Sequence, residues 1–174
     1  MSATIRKEGG YTLLQVALAL ALLGIVMGAV VSSMIVGQKS MGQGQAIANI
    51  NATAQRILET VLADMRQSGA DPAADFDPPA GQSASSTSFR KNQGWLAGQT
   101  INWSGLYRYR LVGNAVVQTE PAGTDHTLGN GVTAFTVARD AAGTEVTVTL
   151  SVAGTLNDGT SYTKTSVEKV HLRN

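Results

Sequence analysis

Two histidines, His126 and His171, are the chain's only imidazoles, and cysteine is absent. No His-Glu-x-x-His stretch is present to hold a metal, and no Gly-x-Ser-x-Gly turn to expose a nucleophile. The glycines nearest to a phosphate loop, Gly37, Gly42 and Gly44, lack a preceding strand and a following Lys-Ser/Thr pair. Asp71, Asp75 and Asp77 place three carboxylates within seven residues. Oxygen ligands of that kind suit a hard cation, but the spacing is not that of a calcium loop and a solvated loop accounts for them. No catalytic residue, no metal site and no cofactor is therefore assigned, and the chain is expected not to be an enzyme.

One cluster has binding chemistry. No acid occurs between Asp77 and Glu120, while Arg90, Lys91, Arg108 and Arg110 do, with Trp95, Trp103, Tyr107 and Tyr109 among them. Cations interleaved with aromatics can hold single-stranded nucleic acid through phosphate contacts and base stacking. Four charges make a small patch, and a solvated strand face with core or edge tryptophans explains the same residues. Taking Arg6 and Lys7 from the 13 basic residues and Glu8 from the 12 acidic ones leaves 11 of each from Lys39 onward. A neutral body argues against a chain-wide nucleic-acid surface.

The strongest feature lies at the front. Gly9 to Gln38 carries no formal charge, and Tyr11 to Val36 is long and apolar enough to cross a bilayer. Arg6 and Lys7 precede it, which favours a cytoplasmic N-terminus and an exported body. A secretory signal would have a shorter apolar core. Within the span Ala17, Ala21, Gly24, Gly28 and Ser32 recur at helical spacing, and Gly24 with Gly28 permits close approach of another helix. Beyond it, Ile47, Ile50, Ala54, Ile57, Leu58, Val61, Leu62 and Met65 form an apolar stripe with Arg56, Glu59, Asp64 and Arg66 off it. Together these predict one helix of about 55 residues, about 80 Å long at 1.5 Å per residue. It should end by Gly69, before Asp71-Pro72. Local melting or bending is expected at the glycine-rich Gly37 to Gly44.

Asp71 to Ser88 reads as a loop. Leu106 to Val112 alternates with Tyr107, Tyr109 and Leu111 on one face and Arg108 and Arg110 on the other. Val132 to Ala138 is β-prone, and Val146, Val148, Leu150 and Val152 alternate with polar residues. Asn157-Asp158-Gly159 signals a turn, after which Tyr162 to Leu172 pairs back, with a bulge where the apolar phase slips between Val167 and Val170. His126 is placed in a loop and His171 in the last strand. Consecutive strands after one long helix predict an α+β fold, an antiparallel sheet head packed on the helix.

The junction Gly9-Gly10-Tyr11-Thr12-Leu13-Leu14-Gln15-Val16 resembles the type IV prepilin signal: a short charged leader ending in Gly, an aromatic residue, Thr, two leucines and a long apolar run. Tyr11 stands where Phe is commoner. The resemblance implies cleavage between Gly10 and Tyr11 by a prepilin peptidase, methylation of the Tyr11 amine and retention of the helix. Ala63-Asp64-Met65-Arg66-Gln67-Ser68-Gly69 and the ending Val167-Glu168-Lys169-Val170-His171-Leu172-Arg173-Asn174 are similar to W-type minor pilins and to J-type pseudopilins of type II secretion. The implied organisation is a leader over 1–10, a membrane and filament-core helix over 11–36, its amphipathic second half over 37–69 and a β-rich, pilin-like head over 70–174. The implied function is a structural subunit that helps initiate, cap or assemble a type IV pilus. Its partners would be other pilins or pseudopilins, through the helix, and the inner-membrane assembly platform, with the head in the periplasm until the subunit joins a pilus or pseudopilus. A J-type pseudopilin is the alternative within this class, and a pilus-tip receptor for DNA uptake the alternative outside it.

Gln15 occupies the position where most members of that family carry Glu. The family's carboxylate meets the N-terminal amine of a neighbouring subunit, and an amide cannot make that charge pair. The resemblance therefore implies either a subunit with none ahead of it, at or near a filament tip, or a neutral replacement.

Overall fold

In the computed structural model the described residues are 12–69, 71, 74–97 and 100–172. Helix α1 runs Leu13–Met65 without interruption. Its helical assignment continues through Gly37, Gly42 and Gly44, so the local melting expected there does not occur. Each glycine costs a helix about 1 kcal/mol relative to Ala, spread here over residues embedded between strong helix formers, and propagation across them is cheaper than breaking and renucleating.

The chain divides into two units between Gly42 and Gln43. In the first, every side chain from Thr12 to Met41 is exposed, including Leu14, Ile25 and Val36. This is the one helix among the described residues with the length and apolarity to cross a membrane.

In the second unit the same helix becomes amphipathic, as its stripe predicts. Ala54, Ile57, Leu58, Val61, Leu62 and Met65 are buried, and Ile50 packs against them part-buried. They meet eight strands: β1 (Ser83–Ala84), β2 (Ser86–Leu96), β3 (Thr100–Val112), β4 (Ala115–Thr119), β5 (Asp125–Asn130), β6 (Val132–Arg139), β7 (Glu145–Thr155) and β8 (Ser161–His171). Two four-stranded antiparallel sheets result, ordered β1-β6-β7-β8 and β2-β3-β4-β5. The α+β class holds, with two sheets where one was expected.

The core joins both sheets to the helix. Val146, Val148, Leu150 and Val152 point inward from β7, with Phe135 and Val137 from β6. Facing them is a stacked column, Phe76, which precedes β1, on Phe89 of β2 at 5.4 Å and Phe89 on Tyr109 of β3 at 5.7 Å between ring centroids. Two glycines set how near the helix lies. A Cβ at Gly129 of β5 would sit 2.8 Å from Ile57 Cδ1, and one at Gly154 of β7 would sit 2.8 Å from Ile50 Cδ1.

Four local expectations are corrected. The segment from Asp71 to Ser88 is not all loop: it contains β1 and opens β2, because Ser83 and Ala84 pair with Ala138 and Val137. His126 lies in β5, paired with Gln118. The β7–β8 ladder is unbroken from Glu145↔His171 to Thr155↔Ser161, so no bulge separates Val167 from Val170. Instead Val167 is 56 % exposed on the outer face while Val170 is buried. Finally, Asp64, expected off the apolar stripe, is only 15 % exposed in its side chain and is turned to the sheet.

Candidate functional site

Gly10 and Tyr11, the expected cleavage junction, lie outside the described residues. The site therefore begins at Thr12. The Thr12 backbone N–H donates to Gln15 Oε1 at 3.0 Å, and the Gln15 N–H reaches Thr12 Oγ1 at 3.4 Å. This reciprocal pair is a capping box, in which a Thr at the helix boundary and a Gln three residues on satisfy each other's backbone donors. Gln15 thus has a role inside its own chain. Gly24 and Gly28 lie on the exposed part of the helix, with open space around the Cβ either would carry. They leave a smooth strip on that face of the helix.

The last turn of α1 holds a second constellation, absent from the sequence expectation. Asp64 Oδ2 accepts hydrogen bonds from the Tyr109 hydroxyl and from Gln118 Nε2 at 3.0 Å, and Lys91 Nζ lies 2.6 Å from the same oxygen. Gln118 Nε2 also donates to the Tyr109 hydroxyl at 2.8 Å, and Lys91 sits over the Tyr107 ring, 3.8 Å from its centroid. One carboxylate therefore fastens the helix to β2, β3 and β4. Burial first, and then the Asp64 carboxylate, push the Tyr109 phenol well above its usual range, so it stays protonated and donates. The network is closed upon itself and serves to fix register between helix and sheet. Asp64 follows Val61 at helical spacing, a signal that a carboxylate there faces the fold.

Truncating Asp64 to Ala should lower head stability by about 3 kcal/mol, since it strands a Lys91 ammonium among buried groups. Adding Lys91→Met should recover a large part of the loss by removing the stranded charge. Denaturant unfolding of both variants checks this, and equal stability of wild type and Asp64→Ala would refute the assignment.

The basic and aromatic residues do not gather into one surface. Arg90 pairs with Asp75 at 2.7 Å, Lys91 with Asp64, and Arg110 with Asp125 at 2.8 Å. Arg108 is exposed beside Arg110 in a shallow hollow with Asp77, Ser86 and Ser88. The Thr119 hydroxyl above all, and Arg110 with it, hold the Asp125 carboxyl below its usual range, so the acid opposite Arg110 stays charged. None of these four cations lines the cleft that holds the two tryptophans. Trp95 and Trp103 line a cleft of about 570 Å³ between the β2–β3 hairpin and the end of α1.

The Asp75 carboxylate is engaged by Arg90, and the Asp77 backbone pairs with Ser88. Among the described residues no group of three or more His, Cys, Asp or Glu is placed to hold a metal ion. His126 lies 3.5 Å from Glu120 and His171 3.6 Å from Glu145, both at exposed positions. The chain matches no protein-family model, no curated protein and no solved structure.

Proposed function

We propose that this protein is a membrane-anchored structural subunit, of the minor-pilin kind, that helps start, cap or assemble a type IV filament. The observation that carries the proposal is the division of labour along one helix. From Leu13 to Met41 α1 exposes every side chain, and from Ala54 to Met65 it contributes to the core of a β-rich head. An apolar helix of that length is unfavourable in water and must be covered by lipid or by other helices. A purely secretory signal has no reason to continue unbroken into the folded body.

The mechanism is one of assembly. A prepilin peptidase removes residues up to Gly10, the Tyr11 amine is methylated, and the helix waits in the inner membrane with the head in the periplasm. The assembly platform then moves the helix from lipid into a bundle of like helices, where the Gly24–Gly28 strip allows close packing. The same mechanics would serve a J-type pseudopilin in a secretion machine. The reading as a nucleic-acid receptor has less support, because Arg90, Lys91 and Arg110 each already face a carboxylate.

Intact-mass measurement of membrane-extracted protein tests the proposal. The mature chain should begin at Tyr11 and carry a methylated amine. Replacing Gly10 by a bulky residue should leave Met1 to Gly10 attached. A mature chain that begins beyond Val31 would mark an ordinary secretory signal and end the filament reading.

A further inference from the structure

The cleft at the end of α1 is lined by both tryptophans of the chain. It lies beneath the β2–β3 hairpin, whose strands pair Asn92 with Trp103 and Trp95 with Ile101 across two irregularities of register. The hairpin overhangs its sheet, since β4 pairs with β3 only from Arg108 to Val112. It is tied back to the helix end by the Asn92 N–H, which donates to Gln67 O at 2.8 Å. Trp95 is 69 % exposed, a large apolar surface left open to water with no core to serve.

Three further observations define what would fill the cleft. Its polar lining includes Arg66, Ser68, Asp71 and Asn92, one cation and one anion among neutral groups. Ser68 is 2 % exposed and, among the described residues, its hydroxyl has no hydrogen-bond partner. A buried hydroxyl left unpaired is uncommon in folded proteins and calls for a partner. Finally, the two indole rings are the only tryptophans in the chain.

We infer that this cleft binds an uncharged oligosaccharide. The face of an indole carries negative charge density, which attracts the slightly positive C–H bonds on the flat side of a pyranose. The surrounding amide, hydroxyl and guanidinium groups match sugar hydroxyls, each of which both donates and accepts. A phosphate-rich strand is disfavoured, because it requires an excess of cations that the lining lacks. Apolar walls with a few convergent polar groups are the usual make-up of a small-ligand site. This inference is independent of the filament reading, since a head presented on any membrane anchor would bind in the same way.

Titration of the whole chain, in a detergent without a sugar headgroup, tests it. The probes are tetramers of β-1,4-linked N-acetylglucosamine, of β-1,4-linked glucose and of α-1,4-linked glucose, with a short oligothymidylate as the charged comparison. Because both tryptophans line the cleft, fluorescence excited selectively at tryptophan reports this site alone. At least one tetramer should give a saturable change below about 10 mM, little altered by salt, as an uncharged ligand requires. By calorimetry Trp95→Ala should weaken that binding by about tenfold or more, and Trp95→Phe should weaken it far less, as stacking on an aromatic face predicts. Trp95 is exposed, so both variants should keep the wild-type circular dichroism. The inference is overturned if no tetramer saturates, if oligothymidylate binds and the sugars do not, or if folded Trp95→Ala binds as wild type does.

Discussion

Met65→Asp should leave the head unfolded. Met65 is fully buried at the end of the helix stripe, in one core with residues of both sheets. Replacing it removes a side chain whose truncation alone costs about 2–5 kcal/mol. The new carboxylate must also be buried without a cation, which adds several kcal/mol unless it takes up a proton. The nearby ammonium, Lys91, is already held by Asp64. Because domains of this size are stable by only about 5–15 kcal/mol in total, the combined loss is of the order of the whole. Circular dichroism and urea unfolding of the head from Gln43 onward, the second unit of the chain, make the measurement. The wild-type fragment should be soluble and unfold cooperatively, Met65→Leu should stay within about 1.5 kcal/mol of it, and Met65→Asp should show no cooperative transition. A folded Asp variant would mean that the helix end is not part of the core.

What the sequence made legible, and what it hid, follows from the range of the forces concerned. The stripe from Ala54 to Met65 and the alternation from Val146 to Val152 are local patterns, and each has its expected partner in the fold. Strand β2 was hidden because its register breaks between Arg90 and Asn92 and again before Trp95, so the two-residue period runs only through Thr87 and Phe89. Strand β5 was hidden because Gly129, which reads as a turn former, is demanded instead by the approach of Ile57. On β8 the apparent slip arises because Lys164, Ser166 and Glu168 occupy the helix side of an edge strand. They border a groove there with Asn51 and Gln55 rather than a closed core. The cation cluster shows the same limit in reverse. The acid-free interval from Pro78 to Thr119 is real in the sequence, yet the fold brings Asp64, Asp75 and Asp125 to it from outside. Sequence distance describes charge density along a chain and says little about charge density in space.

Gln15→Glu should change where the subunit enters a filament and leave its folding unchanged. Gln15 caps its own helix through one side-chain oxygen, which accepts the Thr12 N–H. Glutamate serves equally at this position of a capping box, so the substitution preserves the helix start. A carboxylate, however, has a second oxygen and a charge. One oxygen can keep the Thr12 bond while the other meets the Tyr11 amine of an adjacent subunit, whose pKa near 8 leaves it chargeable after methylation. Shielded from water, that ion pair is far stronger than an amide contact. In the filament proposed above, wild-type protein should therefore concentrate at the tip, and the Glu variant should also enter along the shaft, raising its copy number per fibre. Gln15→Ala separates the two roles: it removes the reciprocal bond, weakening the helix start by about 1 kcal/mol or less, and adds no charge, so its distribution should remain that of wild type. Counting labelled subunits on sheared filaments gives the answer for all three. If the Glu variant is distributed as wild type is, or if wild type is already spread along the shaft, then Gln15 is a helix cap and carries no positional information.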